Sequence, residues 1–219
     1  MPTLTHDGPL WTIDLGADEN RFSPEWLSTV EGFLDDLAAS TEPAALVTSA
    51  TGKFYTNGLD LDWLGAHPDE LGSYVARVHA LFERVLTLPV PTIAALNGHA
   101  FGAGAMLAMA HDYRVMRTER GYFCFPEVDI HIPFTPGMNA LILAKLTPQA
   151  AVESMTTGRR YGADDACAAG IVDAVAPIEE LAEAAAGRVR DLAGKDRTTL
   201  ATIKATMFAD VVTALREGR

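Results

Sequence analysis

Residues 91–112, PTIAALNGHAFGAGAMLAMAHD, constrain the fold more than any other stretch of the chain. The apolar run 92–96 reads as a buried strand, and Asn97-Gly98 turns the chain out of it. Gly102-Ala103-Gly104 then opens a run of Ala, Met and Leu that reads as a buried helix. Small residues at that entrance let a ligand approach the backbone where the first N–H groups of a helix have no intrahelical partner. With the positive end of the helix dipole behind them, such groups suit an oxygen that becomes an anion. The pattern predicts a loop that holds a polarised carbonyl.

The remainder of the chain alternates strands and helices. Strands are expected at 10–15 (LWTIDL), 44–49, 113–116, 121–125 and 171–175. Ser23-Pro24-Glu25 caps and opens a helix that runs to residue 39. Residues 52–58 read as a loop and 59–64 as the start of a short helical turn. From residue 68 to 88, Leu71, Val75, Val78, Leu81, Phe82 and Val85 recur at helical spacing until Pro89 and Pro91 stop the helix. Further helices are expected over 136–146, from Thr147-Pro148 to 156, over 163–169, and as one or two amphipathic segments within 178–216. The pattern indicates an α/β domain with a largely parallel sheet and an all-helical C-terminal third.

At 219 residues the chain supports one substantial core. Its 48% hydrophobic and 21% charged residues are those of an ordinary globular protein. No segment offers the ~20 apolar residues a bilayer crossing needs, and the first residues lack the basic and apolar regions of a secretory signal. A net charge of −12 argues against nucleic acid or an anionic membrane as partner. Cys124 and Cys167 sit among apolar residues and read as free thiols, which fits a cytoplasmic location.

Several familiar motifs are missing. A dinucleotide fingerprint built on Gly102 and Gly104 would need a small residue at position 107, which is Leu107. Gly52-Lys53 is not a phosphate loop, no G-x-S-x-G elbow occurs, and the six histidines show no metal-ligand spacing. Close packing of strand on helix would by itself account for Gly102 to Gly104. A second loop, Lys53-Phe54-Tyr55-Thr56-Asn57-Gly58-Leu59-Asp60, also follows a strand and opens a helix. Two such loops at neighbouring parallel strands would bring two N–H groups into one crevice, the geometry of an oxyanion hole. Glu127, flanked by Phe125, Pro126 and Val128, is a candidate base raised by desolvation, or else a loop cap or surface ion pair. In an extended segment Asp129 would share its face and is taken as structural.

At these residues the chain resembles the crotonase, or enoyl-CoA hydratase/isomerase, superfamily. The similarity runs from LWTIDL through GLDLDWL, PTIAALNGHAFGAGAMLAMAHDYRVM and FPEVDIHIP to TTGRRYGADDACAAGIVDAV. It implies a spiral of ββα units, with a core over 1–175 and a helical trimerisation region over 176–219. It implies an acyl-CoA substrate, no metal, no cofactor beyond the substrate's own coenzyme A, and a homotrimer or hexamer. The oxyanion donors would be the N–H groups of Leu59 and Ala103. Lys53 matches a basic position near the coenzyme A nucleotide. Asn57, Gly58, Trp63, Gly102, Gly104, Met106 and Phe134 would contact substrate, with Leu64 and Met138 also in the acyl wall. Family hydratases use two glutamates; here the first position is Met106 and the second is Glu127. The resemblance, closest to short plant-type Δ3,Δ2-enoyl-CoA isomerases around Gly58-Leu59-Asp60-Leu61, implies migration of a double bond with one glutamate. A single-glutamate hydratase, hydrolase or lyase is the alternative. Thr135 stands where dienoyl-CoA isomerases carry an extra aspartate.

Overall fold

A computed structural model of the chain describes residues 1–217. The chain opens with β1 (Thr3–Asp7), β2 (Leu10–Asp14), α1 (Pro24–Ala39), β3 (Ala45–Ser49) and β4 (Phe54–Thr56). Next come α2 (Leu61–Ala66), a 3-10 turn (Pro68–Glu70), α3 (Leu71–Leu86), β5 (Thr92–Leu96), β6 (His99–Phe101) and α4 (Ala103–Ala110). Then follow β7 (Tyr113–Arg117), β8 (Phe123–Cys124), α5 (Glu127–Ile130), α6 (Pro136–Lys145), α7 (Pro148–Thr157) and α8 (Ala163–Ala168). The last elements are β9 (Ala174–Ala176), α9 (Ile178–Arg190), α10 (Arg197–Met207) and α11 (Ala209–Glu217).

The strands form two sheets. The larger has the order β1-β2-β3-β5-β7-β9, and all its pairs are parallel except the β1–β2 hairpin. β5 is buried at every position, as a central strand covered on both faces must be, so its sequence is continuously apolar rather than alternating. One face carries the main core, in which α1 places Trp26, Leu27, Val30, Leu34 and Leu37. The other face is closed by α9, whose Leu181, Ala185 and Val189 pack on Ala45, Val47, Ile93, Ala95 and Val115. The segment beyond residue 175 therefore supplies one wall of the same body. α11 packs on α3 and α6, with an added Cβ on Gly137 falling 2.7 Å from the Leu215 Cα.

The smaller sheet, β4-β6-β8, is parallel throughout; β8 falls inside the strand expected at 121–125, whereas β4 and β6 lie in stretches expected to be loop or helix entrance. Two or three residues give no readable alternation, and these strands exist only because Phe54 pairs His99 and Ala100 pairs Phe123 across long sequence separations. β1 also went unread, since all but one of its residues are exposed. The strand expected at 171–175 starts at Ala174, because the Ile171 N–H returns to the Ala166 carbonyl and extends the end of α8. The C-terminal region makes three helices. Asp196 ends the break after α9 by capping Thr199 N of α10 at 2.8 Å.

Asn20 fastens the small sheet to the chain that precedes α1. It is buried with φ at +53°, and its amide donates to the carbonyls of Gly16 (3.2 Å), Phe54 (3.2 Å) and Tyr55 (3.0 Å). Replacing it by alanine strands three carbonyls and keeps an unfavourable backbone conformation. Asn20→Ala is expected to lower stability by roughly 2–3 kcal/mol in a denaturant titration, with the loss shared by Asn20→Leu.

Candidate active site

The three sequence segments singled out for chemistry leave the C-terminal end of the smaller sheet side by side. β4 delivers 57–60, β6 delivers Gly102 and Ala103, and β8 delivers 125–127. Parallel strands place such loops along one edge, where α/β folds bind ligands.

Glycines bring the first two loops into contact. Gly58 has φ at +79°, and a Cβ there would lie 2.8 Å from the Phe101 carbonyl oxygen and 2.9 Å from the Ala103 nitrogen. A Cβ on Gly104 would fall 2.4 Å from the Thr56 carbonyl oxygen, so α4 starts directly on β4. Thr56 braces the turn: its hydroxyl donates to the Asn20 carbonyl (2.7 Å) and accepts from the Gly58 N–H (3.0 Å). Tyr74 steadies the far side, accepting from the Asp60 N–H (2.9 Å) and donating to the Phe22 carbonyl (2.9 Å). Among the described residues, the N–H groups of Leu59 and Ala103 have no protein acceptor, and the second lies at the amino end of the fully buried α4.

Glu127 closes the third side. It is the first residue of α5, is 7% exposed, and its Oε1 would stand 3.2 Å from a Cβ on Gly102, whose φ is +52°. Its Oε2 is buried with no hydrogen-bond partner among the described residues. Desolvation pushes the carboxyl up to about 7. Asp129 does not share this face, because 127–130 is a helical turn and not extended; its carboxylate lies against Gly158.

A cavity of about 380 Å3 joins these groups, lined by Asn57, Leu59, Gly102, Ala103, Pro126 and Glu127 among others. A narrower apolar extension of about 120 Å3 shares Leu59, Leu61, Ala103, Glu127 and Ile132 with it and runs between Leu64, Met106 and Met138. The arrangement offers two free N–H donors, one buried carboxylate and an apolar slot. No group of three or more His, Cys, Asp or Glu residues suited to a metal occurs among the described residues, and none of the described helices is long and apolar enough to cross a membrane.

The family match decides the kinship. The enoyl-CoA hydratase/isomerase family model matches residues 12–219. The chain belongs to the enoyl-CoA hydratase/isomerase family. Among its relatives, enoyl-CoA delta isomerase 3 of Arabidopsis thaliana is 36% identical, over 96% of this chain and 93% of its own. The peroxisomal enoyl-CoA delta isomerase 2 of the same plant is 39% identical, over 80% of this chain and 77% of its own. The apo structure of a Mycobacterium tuberculosis enoyl-CoA isomerase superposes with a TM-score of 0.90 at 24% identity, covering 99% of this chain and 95% of that one. A family member from Pseudomonas syringae gives 0.92 at 24%, covering 99% and 94%. The fold is the crotonase fold.

Within this family member, Glu127, Leu59, Ala103, Asn57 and Gly102 line the cavity, and Met106 lines its extension. Gly58 and Gly104 lie behind it as points of close approach. Three expected contacts are placed elsewhere. Trp63 follows the Asp60 cap of α2 and stacks on His67 (4.4 Å) and Tyr74 (5.4 Å). Lys53 precedes β4, at the strand end away from the cavity, with its amine 5.3 Å from the Phe54 ring. Phe134 lines an adjoining hollow that meets the cavity at Glu127 and Ile132. Conversely, Leu61, Ile130, Ile132 and Arg21 line the cavity without having been anticipated. Arg21 is the cation among the lining residues and is paired with Glu19 and Asp62; only its position before the Ser23 cap could have drawn attention to it.

The raised Glu127 makes stability depend on pH. Both folded and unfolded states are protonated below pH 4.5, the ordinary value, whereas above about 7 the folded state carries the full cost of a desolvated carboxylate. The stability difference between wild type and Glu127→Gln is therefore expected to move by roughly 2 kcal/mol in favour of the glutamine between pH 5 and 8. Denaturant titrations across that range measure it; a difference independent of pH would contradict the burial argument.

Proposed function

We propose that this chain is a Δ3,Δ2-enoyl-CoA isomerase in which Glu127 is the single acid/base and the N–H groups of Leu59 and Ala103 hold the thioester oxygen. The observation that carries the reading is a lone buried carboxylate beside two unpartnered backbone donors in one cavity. The other carboxylate lining that cavity, Asp62, has its side chain 88% exposed and is paired with Arg21. The similarity to plant delta isomerases over most of their length supports the same choice.

Glu127, ionised, takes a proton from C2 of a 3-enoyl thioester. The electron pair spreads over C2 to C4 and the thioester oxygen, and the two N–H groups stabilise that oxygen. Glu127 then returns the proton to C4, leaving the double bond between C2 and C3. Each such donor contributes on the order of 3 kcal/mol where one has been removed from comparable sites. A carboxylate with its midpoint near 7 is a better base toward an α-proton than an ordinary one, because less driving force is lost on transfer. Atoms balance without a further cofactor. Met106, buried in the apolar extension, supplies no group to position or activate water, which separates this chemistry from hydration.

The same reading takes the chain as a homotrimer or hexamer in the cytoplasm, supported by exposed Val128, Ile130, Leu143 and Val152 and by two free cysteines. Sedimentation reads the assembly.

Glu127→Gln is expected to bind acyl-CoA normally and to turn over a 3-enoyl-CoA at least a hundredfold more slowly. An absorbance assay on 3-enoyl-CoA and 2-enoyl-CoA separates the readings. Water addition to the second without migration in the first would select the single-glutamate hydratase instead. For wild type, kcat/KM should fall about tenfold per pH unit below an apparent midpoint near 7, since only the ionised form of the free enzyme accepts the proton. A profile flat from pH 5 to 8 would remove Glu127 from the role of base.

A further inference from the structure

A second cavity, of about 540 Å3, lies apart from the first and shares no lining residue with it. Pro91 precedes β5, and Tyr113 opens β7, so this cavity sits at the N-terminal ends of the central strands. α10 roofs it. That helix buries only Lys204, while Ile203 and Met207, both lining the cavity, are 49% and 66% exposed. With Leu192, Leu200 and Phe208 they make walls that are mostly apolar. The volume falls within the range of sites that take small organic ligands.

Charge distinguishes it from a plain apolar hollow. Lys204 donates to Asp112 (2.7 Å) and to the Val90 carbonyl (2.8 Å). Arg114 is 5% exposed and uses Asp173, at 3.4 Å, together with the carbonyls of Ile171 and His111. Lys145 donates to the His111 carbonyl at 3.0 Å and lies 4.6 Å from the Phe208 ring, with no carboxylate at ion-pair distance among the described residues. His111 is held neutral, its imidazole pushed down to about 3 by burial. Three cations thus face two carboxylates, and the unmatched one borders the apolar hollow. Lys195 and Asp196 stand at the rim, where Asp196 already caps α10. Burial, then the neighbouring Arg114, pushes the Lys145 amine down to about 8, the expected strain of a cation lacking its counter-ion.

We propose that this cavity binds a free fatty acid, its carboxylate on Lys145 and its chain along Leu200, Ile203 and Phe208. One surplus positive charge matches a monoanion. A phosphate, doubly charged, would overfill the balance beside Asp112 and leave the apolar walls uncovered. The bound chain would complete the packing of Ile203 and Met207 and tie α10 to the sheet, so binding adds to stability.

Calorimetry and thermal unfolding of the full chain with decanoate test the proposal. One decanoate per chain is expected, with a rise in Tm, and with affinity at least tenfold lower in Lys145→Met and for decanol on wild type. Saturating acyl-CoA should leave decanoate bound, because the two cavities are separate. Leu200→Trp, which fills the hollow without touching a charge, should abolish binding while its circular dichroism and enoyl-CoA turnover match wild type. Equal decanoate affinity in Lys145→Met, displacement by acyl-CoA, or no binding to wild type would each overturn it. So would binding that disappears as the chain self-associates, which would make a second copy the occupant.

Discussion

The contact between Gly58 and the start of α4 governs everything the site can do. An added Cβ on Gly58 would lie within 3.0 Å of the Phe101 carbonyl oxygen and the nitrogens of Ala103 and Gly104. The two loops can meet only because no side chain intervenes at Gly58, and the meeting leaves the Leu59 and Ala103 N–H groups beside one cavity. Those donors remain free because their neighbours take the available acceptors: the Gly58 N–H uses Thr56 and the Met106 N–H uses the Gly102 carbonyl. A helix start and a turn, each with an orphan donor, become a pair through a sheet of only three short strands.

That sheet also explains why the catalytic proposal needs so few charged groups. β8 ends three residues before Glu127, and Pro126 and α5 carry the carboxyl back over Gly102. Among the described residues there is no donor for its Oε2 there. Structural carboxylates elsewhere are handled differently: Asp112 accepts from Lys204 and the Thr92 N–H, and Glu31 accepts two bonds from Arg77. An unsatisfied buried carboxyl costs stability that a fold under no functional demand would shed by substitution or pairing. Glu127 is the exception among the described carboxylates, and the proposed acid/base role would account for it.

Legibility in the sequence followed the range of the interactions. α1 was readable because Ser23, Pro24 and a buried stripe from Trp26 to Leu37 are local signals, and β5 and α4 because continuous apolar runs of different length separate a central strand from a buried helix. The candidate N–H donors and Glu127 were reached through glycine placement and family motifs. β4 and β6 carried no such signal, since a strand of three residues is stabilised by partners far away in the chain. Asp60 before the expected turn is a local cap signal, but the stacking of the Trp63 indole on His67 and Tyr74 that follows from it is not legible in the pattern. Asn20, which joins two segments through three carbonyls, was likewise invisible as more than a turn residue.

The distinction between moving a proton and adding water then reduces to what surrounds one carboxylate. Hydration requires a water held on line with the substrate, which needs a second polar partner on the α4 side of the cavity. α4 offers Met106 there, in a helix whose eight residues are all buried and none of which carries a polar side chain. The apolar extension is bounded by Leu64, Val75, Met106 and Met138, leaving Thr135 as its one hydroxyl. That hydroxyl is engaged with His79 and with the Met138 N–H that opens α6. A dienolate formed here would have its oxygen at the N–H pair, the newly protonated Glu127 within reach of its carbons and the apolar extension alongside. With no other proton donor near, returning the proton to the conjugating carbon is the exit the site leaves open.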